Sequence, residues 1–408
     1  MTTRSLAERL AEVRGARPAR FGVATSTDRA EALARWFGAR LTLVPGGAAV
    51  LLERRVSLPP VVATALRGIP GATYFDTETT GLSTGAGTVI FLAGAGTLQE
   101  DALVVRQLLL PDYPHEPALL RCVTAELVAR PRMVTYNGRG FDLPLLTTRL
   151  TVHGLFRELA ALPQQHDDLL PVARRLFRRP LGGARLADVE SGVLGVRREG
   201  DCPGSEVPAR YFGYLRSGSP QGLADVLDHN LQDIVSLALL EAELLRLRAG
   251  GWRDAGILDR RGMALELVRH GFPEEAVELV EATVNLAAPD EAAGLKRVAS
   301  RFLVAAGELD RAEALWNAGT RRASLDAAAA WLEIARIRER HRGDLPGALD
   351  AAAAASRVLD LAFALGRGGG MRAIGDVRLR VDARLRRLRR WVAAAERRRL
   401  RVPRMTAA

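Results

Sequence analysis

A chain of 408 residues, 48% hydrophobic and 26% charged, is long enough for two or three domains with cores of their own. No run approaches the roughly 20 apolar residues of a membrane span, and the first residues lack the apolar core of a signal peptide. The two cysteines, Cys122 and Cys202, form no CxxC pair. They argue against a disulfide framework or a zinc knuckle and for a reducing cytoplasm.

The formal charge of +11 is unevenly placed. Residues 366–408 hold 14 arginines against Asp376, Asp382 and Glu396, a surplus equal to that of the whole chain. Lys296 is the single lysine, an arginine bias that a GC-rich genome also produces.

In chain order, residues 1–70 form a small N-terminal region of unassigned role. It has a helical pattern from Ser5 to Val13. Two apolar runs, Leu41–Val44 and Ala48–Leu52, are joined by a hairpin turn at Pro45-Gly46-Gly47. Residues 71–250 alternate strands and helices. Ala72–Tyr74, Thr88–Leu98 and Ala102–Leu110 read as an antiparallel meander. After it come a helix from Glu116 to Ala129, a short strand Met133–Tyr136, and a helix from Asp142 to Leu150. A strand end at His166–Leu169 leads into a helix reaching Arg178, and a long helix covers Leu223–Leu247. This order predicts an α/β layered domain.

Residues 257–365 lose the strand-like runs and show a period of 36. Gly271, Gly307 and Gly343 recur at that spacing, each followed five residues later by Ala276, Ala312 or Ala348. A glycine that ends one helix and a small residue that lets the next pack closely are the parts of a helical repeat. The pattern resembles tetratricopeptide-like hairpins; an ordinary helical bundle with coincident turns is the alternative. Residues 366–408 follow as an arginine-rich helix or tail, after a hinge-like Arg367-Gly368-Gly369-Gly370. Its stripe of Val377, Val381, Leu385, Leu388 and Val392 fits a capping helix. Its arginines would face water, or bind nucleic acid or an acidic partner.

The densest chemistry lies in Phe75-Asp76-Thr77-Glu78-Thr79-Thr80-Gly81-Leu82. Residues i and i+2 of a strand share a face. Asp76 and Glu78 are then two carboxylates side by side, costly to hold without a cation. Oxygen ligands favour Mg²⁺ or Mn²⁺. Two further acidic sites join them. Asn137 to Asp142 (Asn-Gly-Arg-Gly-Phe-Asp) ends a strand and opens a helix. In His229-Asn230-Leu231-Gln232-Asp233, His229 and Asp233 share a helical face. Alone, Asp142 reads as a helix cap and the His–Asp pair as a surface ion pair. The glycine pairs Gly85–Gly87 and Gly94–Gly96 precede no helix and make no dinucleotide fingerprint. Asp168, at a strand end, reads as a structural cap.

As a set, these motifs resemble the DnaQ-like 3′–5′ exonucleases on the ribonuclease H-like fold, whose metal ligands are Asp, Glu, Asp and Asp. The resemblance covers residues 72–245. Asp76 and Glu78 match the first motif and Asn137–Asp142 the second. His229–Asp233 falls at the third, with the histidine four residues before the aspartate, where one large branch has tyrosine and the other a histidine at five. That form, with the segment Arg185–Tyr214, is most similar to the YprB-type ribonuclease H-like branch, which also carries C-terminal repeats.

The resemblance implies a mixed sheet flanked by helices. It also implies a two-metal (Mg²⁺ or Mn²⁺) exonuclease acting on single-stranded DNA or RNA. Asp76 would bridge both ions, Glu78 and Asp233 would complete one site and Asp142 the other. His229 would orient or deprotonate the water. Thr77 and Asn137 would meet the substrate, Asn137 alternatively shaping the corner. The repeats would take a protein partner. The competing function is a non-catalytic nucleic-acid-binding adaptor built on a nuclease-like domain.

Overall fold

The computed structural model describes residues 26–81, 83–198, 200, 202–284, 289–367 and 371–401. The Ser5–Val13 helical pattern, Leu82 and glycines 368–370 lie outside them. The chain divides into two compact units, one of Met1–Pro171 with Arg185–Leu245, the other of Val172–Ala184 with Arg246–Ala408.

The first unit is built on a mixed seven-stranded sheet ordered β1-β2-β5-β4-β3-β6-β7. Helix α1 (Ser26–Trp36) precedes β1 (Arg40–Val44) and β2 (Gly47–Ser57), and α2 (Pro60–Arg67) leads to β3 (Ala72–Thr79), β4 (Ile90–Gln99) and β5 (Ala102–Leu109). These three strands pair antiparallel as the expected meander. The β1–β2 hairpin, turned at Gly46, extends the sheet by pairing β2 antiparallel to β5. After α3 (Glu116–Val128), β6 (Arg132–Thr135) lies parallel to β3. After α4 (Asp142–Val152) and α5 (Phe156–Ala161), β7 (Gln165–Asp168) lies parallel to β6. Parallel neighbours require such crossovers. Strand β4 is central, and its residues from Ile90 to Thr97 are buried on both faces.

Helix α6 (Leu170–Leu181) follows β7. Then come α7 (Leu186–Val189), α8 (Val207–Ser217) and the long α9 (Ala224–Arg248). Helix α8 seals the sheet through Tyr211, whose ring stacks on Phe91 with centroids 4.2 Å apart. The Tyr211 hydroxyl donates to the Leu110 carbonyl at 3.1 Å.

The second unit is all helical: α10 (Arg260–Arg269), α11 (Pro273–Thr283), α12 (Pro289–Ala305), α13 (Leu309–Asn317), α14 (Leu325–Ile337), α15 (Leu345–Ala364) and α16 (Met371–Arg401). Helices pair as α10–α11, α12–α13 and α14–α15, and α10, α12 and α14 each touch the first helix of the next pair or α16. Gly271, Gly307 and Gly343 all take left-handed φ (85°, 80° and 67°). Ala276, Ala312 and Ala348 are each 0% exposed. The 36-residue period therefore has a physical cause: a turn that glycine accepts and a seam of buried alanines between packed helices.

Most of α6 belongs to this unit. A Cβ on Gly262 of α10 would overlap the Arg175 carbonyl oxygen of α6, and Arg175 pairs with Glu266. In α16, Val377, Val381, Leu385 and Leu388 are buried against α14 and α15.

Candidate metal centre

Strand β3 ends at the centre of the sheet with Asp76 opposite Gly94 of β4, and its register shifts between Glu78 and Thr79. Helix α9 crosses the face that carries Asp76 and Glu78. It lies close because β4 is glycine there. A Cβ on Gly94 would overlap the Asn230 carboxamide oxygen, and one on Gly96 would lie 2.5 Å from Ile234 Cγ2. The Gly94-Ala95-Gly96 run is thus a seat for a helix rather than a phosphate loop.

That approach brings three expected residues together. The ligand atoms of Glu78, His229 and Asp233 all lie within 4.8 Å of one another. His229 Nε2 is 3.8 Å from Glu78 Oε1 and 3.7 Å from Asp233 Oδ2. Asn230, fully buried, donates through Nδ2 to Asp76 Oδ2 at 3.0 Å. Its Oδ1 accepts from Gln107 Nε2 at 3.0 Å.

Asp142 opens α4 at 4% exposure. It accepts from the Thr77 hydroxyl at 2.5 Å and from the backbone amides of Asp142 and Thr77. Thr77, read from sequence as a substrate contact, is buried with its hydroxyl committed to Asp142. Asn137 is exposed at the strand–helix corner with a left-handed φ of 68°. Its backbone N–H and that of Arg139 donate to the two oxygens of Asp168, and Leu170 N–H donates to Asp168 Oδ1. Asp168 is accordingly the cap that fixes this corner.

Arginine 198 was not foreseen. Its Nη2 pairs with Asp233 Oδ1, and its Nη1 lies 3.2 Å from His229 Nδ1. Glu190, 1% exposed, grips it by two hydrogen bonds of 2.6 Å, and Ser236 Oγ donates to Glu190. No local pattern announces this arginine, one of many in the chain. Asn230 had a signal: a carboxamide between two candidate site residues on the inward face of a helix.

Burial, followed by the charges of Asp233, Asp142 and Glu78, pushes the Asp76 carboxyl well above its usual range, against the Asn230 hydrogen bond. Burial pushes Asp142 up to about 6, opposed by its bonds to Thr77 and the backbone. Burial also raises Asp233, opposed by Arg198 and His229. A carboxyl at Asp76 whose ionisation is opposed by Asp233, Asp142 and Glu78, with an imidazole beside Glu78 and Asp233, is a donor set that suits a hard divalent cation.

The comparisons with known proteins agree with the geometry. Residues 73–245 match the RNase_H superfamily, and this segment is a ribonuclease H superfamily domain. Over 169 residues the chain is 44% identical to the uncharacterized protein YprB of Bacillus subtilis (strain 168). The match covers 41% of this chain and 40% of that protein, so the chain spans well under half of its relative's length. Among the described residues no helix is long and apolar enough to cross a membrane.

Proposed function

We propose that the ribonuclease H-like domain is a divalent-metal-dependent nuclease that removes nucleotides from the 3′ end of single-stranded nucleic acid in the cytoplasm. The observation that carries the reading is the convergence of Glu78, His229 and Asp233 beside the half-buried Asp76 and the buried Asp142. Glu78 and Asp233 would hold one Mg²⁺ or Mn²⁺, Asp142 a second, and Asp76 both. Bound ions would neutralise the attacked phosphodiester and make water more acidic.

The chain's own groups do the rest. His229 directs Nε2 towards Glu78 and Asp233, a position from which it takes the proton of an attacking water. Asn230 fixes one oxygen of Asp76. Arg198 engages Asp233 Oδ1 and leaves Oδ2 turned towards His229. Asn137, exposed on its rigid corner, faces substrate. The helical hairpins of the second unit are read as tetratricopeptide-like repeats that hold a protein partner.

The test is incubation of the full chain with 3′- and 5′-labelled single-stranded DNA and RNA in Mg²⁺, Mn²⁺ or EDTA. A metal-dependent ladder of 3′-shortened products is expected, absent from Asp76→Ala and Asp142→Ala proteins that still fold. Equal shortening by those variants would sink the assignment. One observation favours a second reading, an adaptor that binds without cutting: the guanidinium of Arg198 already places a cation on Asp233. On that reading the protein retains labelled oligonucleotides in Mn²⁺ and never shortens them.

A further inference from the structure

We propose that the outer face of α16 is a second nucleic-acid contact, a row of arginines that follows the phosphate backbone outside the metal centre. Apart from the exposed Arg372 and Arg380 near its start, the described arginines of this helix fall into two sets. Arg378, Arg384 and Arg387 turn inward and pair with Asp360 or Glu339. Arg386, Arg389, Arg390, Arg397 and Arg398 are exposed, and among the described residues they have no ion-pair partner.

The position of the second set matters more than its number. At 3.6 residues per turn, Arg386, Arg390 and Arg397 align on the side opposite the buried stripe of Val377, Val381, Leu385 and Leu388. From Arg386 to Arg397 the row runs about 17 Å at 1.5 Å per residue, the length of several consecutive phosphates. From Val377 to Arg401 the helix holds only two acids, Asp382 and Glu396.

The same division selects the polyanion. A basic amphipathic helix binds a membrane by burying its apolar face in the lipid. Here the stripe of Val377, Val381, Leu385 and Leu388 is already buried against α14 and α15, and the large apolar side chains still exposed, Leu379 and Trp391, stand twelve residues apart and form no continuous face to insert. What remains is a straight guanidinium surface, suited to phosphate oxygens by charge and by its paired donors. The choice of nucleic acid as the ligand rests on the nuclease reading of the other unit; the surface does not.

The test uses full-length protein in EDTA, so that nothing is cut, and follows fluorescence anisotropy of labelled single-stranded oligonucleotides across a salt series. Two variants are compared with the parent, one with Arg386, Arg389, Arg390 and Arg397 changed to Gln, the other with the same four changed to Lys. The Gln variant should bind at least roughly tenfold more weakly. Its plot of log K against log salt should flatten by ~0.7 for each lost phosphate contact. The Lys variant should recover most of the affinity, and thermal melting should match for all three. Equal affinity and equal salt slope in the Gln variant would overturn the proposal. So would displacement of the oligonucleotide by polyglutamate at equal charge, or binding to vesicles of anionic phospholipid but not to oligonucleotide. Retention of the oligonucleotide with no shortening in Mn²⁺, lost in the Gln variant, would count against the nuclease reading and still support this surface.

Discussion

Asn230 donates its carboxamide to Asp76 Oδ2 at 3.0 Å while its other end accepts from Gln107. The central carboxylate of the site is thus held by a buried amide whose own hydrogen bonds are met. A buried group of this kind tolerates neither displacement nor an unmatched partner.

The glycine that admits Asn230 sets the first expectation. Gly94→Ala should force α9 away from β4, because the new Cβ overlaps the carboxamide oxygen. Overpacking of this kind costs about 1–3 kcal/mol, and metal-dependent cleavage should fall on the order of 100-fold as the ligands shift. Thermal melts and cleavage rates check both. Gly87→Ala, which meets nothing within 4 Å, is the control and should change neither.

The acidity of Asp142 predicts a pH dependence. Its folded carboxyl sits at about 6 against an ordinary 3.8, so the folded state binds that proton more tightly. The stabilisation from this group is complete below about pH 4 and is lost as pH rises through about 6. Metal-free protein should therefore lose stability between those values. Asp142→Asn should flatten the trend and raise stability at neutral pH by ~3 kcal/mol. Denaturant titrations at a series of pH values measure it; a variant with the parent's pH trend would contradict the assignment.

The Arg198–Glu190 pair should show strong coupling. Arg198→Met leaves a buried carboxylate without its partner, at a cost of about 3–5 kcal/mol. Changing Glu190 to Met as well removes the stranded charge and should restore much of the loss. A double-mutant cycle on unfolding free energy reads the coupling directly, and additive effects would show that the pair is not cooperative.

His229→Ala distinguishes a proton acceptor from a ligand. As the base, it should lower kcat by ~10²–10⁴ and leave Mn²⁺ binding, measured calorimetrically, nearly unchanged. A loss concentrated in Mn²⁺ affinity would instead make His229 a member of the ion's ligand set.

The meander, the crossovers and the site motifs were legible because each is local. Alternation marks a strand, a carboxylate pair marks its end, and glycines 36 residues apart mark turns. Pairing of β2 with β5 was not legible, since nothing in Gly47–Ser57 names a partner strand more than 40 residues away. The capture of α6 by the helical unit was hidden for the same reason: Gly262 reads as one helical glycine among many until Arg175 is seen beside it. Within the site, Asp76, Glu78, His229 and Asp233 were visible by spacing. Arg198 and Glu190 were not, because they reach the cluster through a segment with no repeating pattern.

Helix α9 is fastened at a second point. Three turns beyond Asn230, Glu241 accepts from the Tyr74 hydroxyl at 2.6 Å and pairs with Arg132 at 2.5 Å. Tyr74 and Asp76 lie two residues apart on one strand, so helix and strand are riveted at both ends of a single lever. His229 and Asp233 cannot roll or slide independently of this anchorage. A substitution at Tyr74 or Glu241, outside the acidic cluster, would therefore be felt as a change in the spacing of Asp76, His229 and Asp233, and the precision of the site is stored as much in that distant rivet as in the carboxylates themselves.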